Sequence, residues 1–551
     1  MAWITLESRA SCEHGGCYCT PPIGAGRRFA NRSVTANMST LESRVQSMAE
    51  SSKSRDLGRL IVPKAKKKRR PRILIVTPEL NSSSSLRMRG GQAPRAKAGG
   101  LADMCTLLVD ALAERGADVH VAMPHFRSLF RDEPMISRRL HLCQDREFYY
   151  RRSVYEGGAS DNRKAALVFQ RDVIHHVLPQ VRPDVVHCHD WMAGLVPAAA
   201  RKMGIKSIFT IHNLHDEQAT LAEIEDRGID AAGFWDCLHY ECFPESYVQS
   251  RSWNRVSFLP SAIHAADRVN TVSPSFLGEL MDGRHPGTGQ LIDVLRAKHS
   301  VGSACGIVNA PDAGWNPMTD AALLECYDAS SHASGKALNK LAFQRACGLE
   351  ENAAAPLLFW PSRLDPMQKG CQLLAEILYR IVSDYAGMGL QMAFVADGPF
   401  KKHFEHIADF HGLRHRIAVC HFNEVLSRRA FAASDFVLMP SSYEPCGLAQ
   451  MVGLKYGRLP IVHNTGGLKD TVTHLVGNLS GGNGFVFETH DANGLKWAVD
   501  EAMRFFSRPK SERQAHVERI MRESQKKFAP TSAVDSYVRL YENLIERSLE
   551  R

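Results

Sequence analysis

The chain has 551 residues, 44% hydrophobic and 23% charged, with 68 Lys+Arg against 59 Asp+Glu for a formal net charge of +9. Residues 1–72 carry 15 of the basic and 5 of the acidic side chains, which leaves 53 and 54 for residues 73–551, a net −1. A near-neutral body with no uninterrupted apolar stretch of membrane-spanning length argues against an integral membrane protein and against a surface that coats nucleic acid.

The first segment, residues 1–71, is rich in Ser and Arg and ends in the basic run that begins at Lys64. It reads as a disordered tail. A transit peptide, a docking tail for a polyanion and a start codon placed too early, with Met38 or Met48 as initiator, all fit that composition. The expected location is cytoplasmic, or plastidic if the segment is a transit peptide. Of the 14 cysteines, 3 lie in the first 72 residues; the other 11 are scattered singly and read as reduced.

From Arg72 onward, short β-branched runs alternate with helical patterns. Strands are expected at 73–77, 118–123, 183–189, 206–211 and 268–272, with a helix at 101–115 whose Leu101, Met104, Cys105, Leu108 and Leu112 share one face. A second series is expected at 357–361, 392–395, 436–439, 459–462 and 484–487. Two amphipathic patterns follow, 494–507 and 510–547. The expected architecture is α/β, with two doubly wound Rossmann-like domains facing each other across a cleft. The expected boundaries are 72–305 for the N-terminal, acceptor-side domain and 306–530 for the C-terminal, nucleotide-sugar-side domain. A C-terminal helix, 531–551, is expected to cross back.

Chemistry-bearing residues gather where strands end. Lys97-Ala-Gly-Gly-Leu-Ala-Asp103 places a cation and the pair Gly99-Gly100 at a helix start, where backbone N–H groups can approach an oxyanion, although such a pair also serves as a plain turn. Ser362 to Gly370 puts Arg363 and Lys369 on one loop, suited either to a diphosphate leaving group or to a solvated rim. In Glu444-Pro-Cys-Gly-Leu448 a carboxylate precedes a helix N-terminus, so Glu444 can bind sugar hydroxyls while Gly447 and Leu448 offer N–H groups. Thr465-Gly-Gly467 repeats the strand, Gly-Gly, helix arrangement.

These motifs occur in order with HCHDW (187–191), TIHNL (210–214), VSFL (256–259) and NTVSPSF (270–276), and in that order they resemble bacterial glycogen synthases and plant starch synthases over roughly 72–545. The resemblance implies the glycosyltransferase B fold and transfer of glucose from ADP-glucose, less often UDP-glucose, to the non-reducing end of an α-1,4-glucan with retention. Carried onto this chain, it implies His212, Arg363, Lys369 and Glu444 as the catalytic set. It implies nucleotide-sugar contacts from Lys97, Gly99, Gly100, Phe422, Cys446, Gly447, Leu448, Thr465, Gly466 and Gly467, and acceptor contacts from Asp103, Asp190, Trp191 and Asn213. Phe422 aligns with a base-stacking aromatic; His187 and His189 read as strand-end packing. No metal or other cofactor is expected, because fixed cations can neutralise the diphosphate and the sequence has no Asp-x-Asp. The expected partners are a nucleotide sugar and an α-1,4-glucan, with no nucleic acid and no membrane span; oligomeric state is left open.

The chain also departs from the pattern. A Ser-rich basic insertion at 81–92 suggests a mobile lid or a glucan contact, the Arg363 to Lys369 spacing is one residue longer, Ala449 replaces a Thr or Asn, and His215-Asp-Glu-Gln218 replaces the usual continuation. Broader retaining transferases of the same fold typically carry a second Glu eight residues after Glu444, where this chain has Val452. A glucan-binding paralogue without turnover is the reading from another class.

Overall fold

The computed structural model describes residues 69–86, 95–130, 137–285, 287–476 and 481–549. The basic segment up to residue 68 and residues 87–94 of the Ser-rich insertion lie outside the described residues.

Nine strands belong to the N-terminal half: β1 (Arg72–Val76), β2 (Asp118–Pro124), β3 (Leu140–Cys143), β4 (Val185–His189), β5 (Lys206–Ile211), β6 (Gln218–Ala219), β7 (Val256–Ser257), β8 (Arg268–Thr271) and β9 (Ala304–Gly306). Seven of them form a wholly parallel sheet in the order β3-β2-β1-β4-β5-β8-β9, and β6 and β7 make a short antiparallel pair beside it. The C-terminal half contributes β10 (Leu357–Trp360), β11 (Gln391–Val395), β12 (Ile417–Cys420), β13 (Phe436–Met439), β14 (Leu459–His463) and β15 (Phe485–Phe487), also parallel, in the order β12-β11-β10-β13-β14-β15. This is the expected pair of doubly wound units. The central strands β4, β10 and β11 are buried at every position, which is why they are predominantly apolar, with His187 and His189 of β4 and Gln391 of β11 as buried polar exceptions.

In each sheet the strand order reverses once, between β1 and β4 and between β10 and β13. A crevice opens at the carboxyl ends of the strands at such a reversal, because the helices leaving the two strands go to opposite faces. β1 leads to Lys97–Gly100 and β4 to Asp190; β10 leads to Arg363–Gly370 and β13 to Glu444.

The sequence reading missed β3, β9 and β12, and all three are sheet edges. Each has three or four residues and at least two positions that are only half-buried, so none shows a sustained apolar run. The pattern at 510–547 is corrected as well. It forms two helices, Lys510–Lys527 and Pro530–Ile545, because Pro530 lacks the N–H that a continuing helix needs.

The second of these helices packs into the core of the first domain, where Tyr537 and Tyr541 are fully buried. Asn270 Nδ2 donates to Tyr537 Oη (3.1 Å), Thr210 Oγ1 donates to Asn270 Oδ1 (2.8 Å), and His187 Nε2 lies 2.6 Å from Thr210 Oγ1. Because Thr210 spends its proton on Asn270, His187 takes the Nε2–H tautomer and accepts from Tyr541 Oη at Nδ1 (2.6 Å). His187 is thus a satisfied core histidine. Tyr541→Phe would leave Nδ1 buried without a donor and is expected to cost about 1–3 kcal/mol, read as a lower urea midpoint with an unchanged m value. Among the described residues, no helix is long and apolar enough to cross a membrane.

Candidate active site

The first-domain loops meet the second domain across a cleft of about 490 Å³. Lys97, Gly99, Gly100 and Asp103 line one wall, and Phe422, Leu448 and Ala449 line the other. The walls touch. A Cβ placed on Gly100 would lie 3.0 Å from Leu448 Cδ1, so a side chain at 100 requires the Leu448 side chain to shift. Phe422 is 60% exposed, an apolar ring left in solvent at the cleft edge. Above it, Arg95 and Glu424 form an ion pair between the domains at 2.8 Å.

Several assigned residues are already committed to protein partners. Lys97 Nζ donates to both oxygens of Asp103 (2.8 and 2.7 Å), so two residues assigned to opposite substrates form one pair. The N–H of Gly99, expected to face an oxyanion, donates instead to Glu79 Oε2 (2.9 Å), as does that of Ala98 (2.8 Å). Glu79 is buried, accepts from Tyr155 Oη at its other oxygen (2.9 Å), and is lifted above the usual carboxylate range by that burial. Glu79 and Tyr155 escaped the sequence reading. The available signal was a carboxylate placed just beyond a fully apolar strand, where it has to find donors.

At the end of β4, Asp190 is 7% exposed and holds a left-handed backbone (φ 56°), a conformation that costs a non-glycine residue about 1–3 kcal/mol. Its Oδ1 accepts from the backbone N–H of His212 (2.6 Å) and of Asn213 (3.3 Å), which fixes the turn after β5. His212 Nε2 lies 3.0 Å from His189 Nδ1, and burial pulls His212 down to about 3, so its ring is neutral at any working pH. Trp191, expected to face the acceptor, is 4% exposed and packed in the core, with its ring edge-on to His215.

Burial pushes Asp190 up from 3.8 to about 7. The protonated acid is therefore favoured by folding, a contribution complete below about pH 4 and lost as pH rises through 7. Asp190→Asn keeps the accepting Oδ1 and cannot ionise. Its urea midpoint is expected to fall less from pH 5 to 8 than that of the parent, with the raised carboxyls of Glu79 and Asp216 contributing to both profiles; parallel profiles would refute the assignment of this titration to Asp190.

In the second domain, Lys369 Nζ donates to Glu444 Oε2 (2.7 Å), which also accepts from Ser441 Oγ (3.0 Å). Lys369 and Glu444, 75 positions apart, form one unit; Arg363 is exposed on the same loop as Lys369. Gly370 (φ 72°) brings that loop against Pro440, and Gly447 (φ 71°) turns the chain after Cys446, which is buried by packing. Arg363, Lys369, Glu444 and His212 are not in the lining of the cleft cavity, which ends at Pro361 and Leu448.

Thr465, Gly466 and Gly467, expected on the nucleotide sugar, are consumed at the domain seam. Thr465 Oγ1 and Gly466 N–H donate to Glu279 of the first domain (3.1 and 2.7 Å), and Gly467 N–H donates to the Glu444 carbonyl (2.9 Å). In return, Asp470 accepts from Ser273 Oγ, Ser275 N–H and Ser275 Oγ at 2.6, 3.1 and 2.6 Å, capping the helix Pro274–Met281. Two short helices thus exchange carboxylate caps across the seam. The described part of the insertion is also tied down, with Ser83 Oγ and the N–H groups of Ser84 and Ser85 donating to Asp110.

Residues 72–297 match the family described as starch synthase catalytic domain, and residues 349–515 match glycosyl transferases group 1. A glycogen synthase of Geobacillus thermodenitrificans is 31% identical over 492 residues, spanning 83% of this chain and 96% of that protein. The chain belongs to the glycogen synthase family. A glycogen synthase of Geotalea uraniireducens is 32% identical over 462 residues, 75% of this chain and 90% of its own. Among solved structures, the catalytic domain of starch synthase IV from Arabidopsis thaliana, bound to ADP and acarbose, superposes with TM-score 0.71 at 25% identity, over 87% of this chain and all of that one. Sucrose-phosphate synthase from Thermosynechococcus elongatus, at 17% identity and TM-score 0.55, shares the fold. The chain is accordingly a glycosyltransferase of the glycogen and starch synthase kind, with the glycosyltransferase B architecture.

Proposed function

We propose that this glycogen synthase family member transfers glucose from ADP-glucose to the non-reducing end of an α-1,4-glucan with retention of configuration. The observation that carries the reading is the Lys369–Glu444 pair beside Arg363, at the strand-order reversal of the second sheet. Breaking a glycosyl-phosphate bond builds negative charge on the leaving diphosphate, and fixed cations at a sheet's carboxyl edge stabilise that charge without reorganisation. Glu444 orients Lys369 and offers its carboxylate to sugar hydroxyls. Phe422 stacks on the base, and Lys97 closes on the diphosphate by exchanging Asp103 for a phosphate oxygen.

His212, neutral and held by His189 and the Asp190 turn, presents an uncharged ring or its carbonyl to the anomeric carbon. The leaving phosphate takes the proton of the attacking hydroxyl on the same face. Arg363 and Lys369 supply the charge that a metal would otherwise provide, so turnover is expected to survive EDTA. The test is α-1,4 chain extension of a glycogen primer with ADP-[14C]glucose and UDP-[14C]glucose. Extension with ADP-glucose in preference supports the proposal, UDP-glucose preference overturns the donor assignment, and no extension with either overturns the reaction.

A further inference from the structure

Eleven cysteines fall among the described residues, all present as thiols. Among these residues, one pair is in sulfur contact: Cys347 Sγ and Cys420 Sγ lie 3.8 Å apart although 73 positions separate them. Cys347 is the last residue of the helix His332–Cys347 and Cys420 the last residue of β12. Both are half-buried, with a rim open to a small reagent. The elements that carry them are joined close by, since Glu350 N–H donates to the His415 carbonyl at 2.8 Å. The two thiols are therefore held near each other by backbone pairing independent of the sulfurs.

A disulfide needs the sulfurs about 2 Å apart, so the pair has to close by somewhat under 2 Å, through side-chain rotation together with a small shift of Cys420 toward the helix. The surroundings favour attack by Cys420. The contact with Cys347, with Lys401 and His421 standing nearby, brings the Cys420 thiol down to about 7, so that part of it is thiolate at neutral pH.

We propose that Cys347 and Cys420 form a reversible regulatory disulfide, made by exchange with a low-molecular-weight disulfide such as oxidised glutathione. In the first step the Cys420 thiolate attacks one sulfur of that disulfide, whose S–S bond breaks and releases one thiolate. In the second, Cys347 attacks Cys420, displaces the remaining thiol and passes its own proton to it. Two protein thiols are oxidised and one external disulfide is reduced to two thiols. Two residues beyond Cys420 stands Phe422, whose N–H, like the His421 ring, is held by Asp397 (3.0 and 2.7 Å). Drawing Cys420 toward the helix pulls on this short tether and displaces Phe422 from the cleft wall. That effect on donor binding rests on the stacking role proposed for Phe422; the disulfide itself does not.

The experiment treats the full-length protein with oxidised glutathione at a series of glutathione ratios, alkylates the remaining thiols and maps peptides by mass spectrometry. The expected result is a Cys347–Cys420 cross-linked peptide that dithiothreitol removes and Cys347→Ser abolishes. Continued alkylation of both cysteines, or a stable glutathione adduct on Cys420, would overturn the proposal. In parallel, oxidation is expected to raise the ADP-glucose KM several-fold in the parent and not in Cys347→Ser. A cross-link with unchanged KM, in a protein whose Phe422→Ala variant has a raised KM, would overturn the coupling. An unchanged KM in Phe422→Ala itself would overturn the stacking role and leave the disulfide standing.

Discussion

Replacing Lys369 with alanine is expected to lower kcat by about 10²–10³, the loss typical of one preorganised donor to a developing anion. Lys369 sits 2.7 Å from Glu444, and both are nearly buried, with side-chain exposures of 11% and 9%. Removing the ammonium therefore takes the positive charge from the leaving phosphate and also leaves a buried carboxylate with Ser441 as its remaining partner. The two effects separate experimentally. Lost transition-state stabilisation lowers kcat and kcat/KM together, whereas lost sugar orientation through Glu444 raises KM. Lys369→Arg, which keeps the charge and a donor for Glu444, is expected to recover part of kcat. Unchanged kinetics in Lys369→Ala would move this lysine to the cleft rim.

Gly370→Ala is expected to be severely damaging. Gly370 has φ +72°, and a Cβ there would lie 2.0 Å from the carbonyl oxygen of Pro440. The backbone strain alone costs roughly 1–2 kcal/mol. The clash cannot be relieved by a rotamer change, because the opposing atom is backbone, so the Lys369 loop must move off the loop that carries Glu444. Turnover should fall with the separation of that pair, and the urea midpoint should drop well beyond the strain term. Gly412→Ala is the matched control: φ is +63° and no atom lies within 4 Å of the added methyl, so about 1–2 kcal/mol and unchanged turnover are expected. Equal losses in the two variants would show that the contact with Pro440 is unimportant.

The patterns most legible in the sequence belong to the interior. Lys206–Ile211 and Phe436–Met439 are strands over their predicted spans, because parallel strands inside a sheet are buried on both faces and favour β-branched and apolar residues. The glycine-rich loops were legible too, since a close approach or a positive φ permits little else. The edge strands β3, β9 and β12 were not, as half their surface faces solvent. The start of the last helix, at Pro530, lies within a residue of the expected boundary at 531, whereas the apolar pattern at 510–547 did not show the break.

What the sequence by itself determined was the α/β architecture, the family resemblance and the loops at which polar chemistry collects. Only the tertiary structure decided which partner each polar group takes. Thr465 and Gly466 look like part of a phosphate cradle until Glu279, 187 positions before Gly466, is found against them. The same holds for Gly99 and Glu79, and for Trp191, whose burial no local pattern reveals. A hydrogen-bonding group must be satisfied wherever it is buried, and its partner is chosen by packing between distant segments.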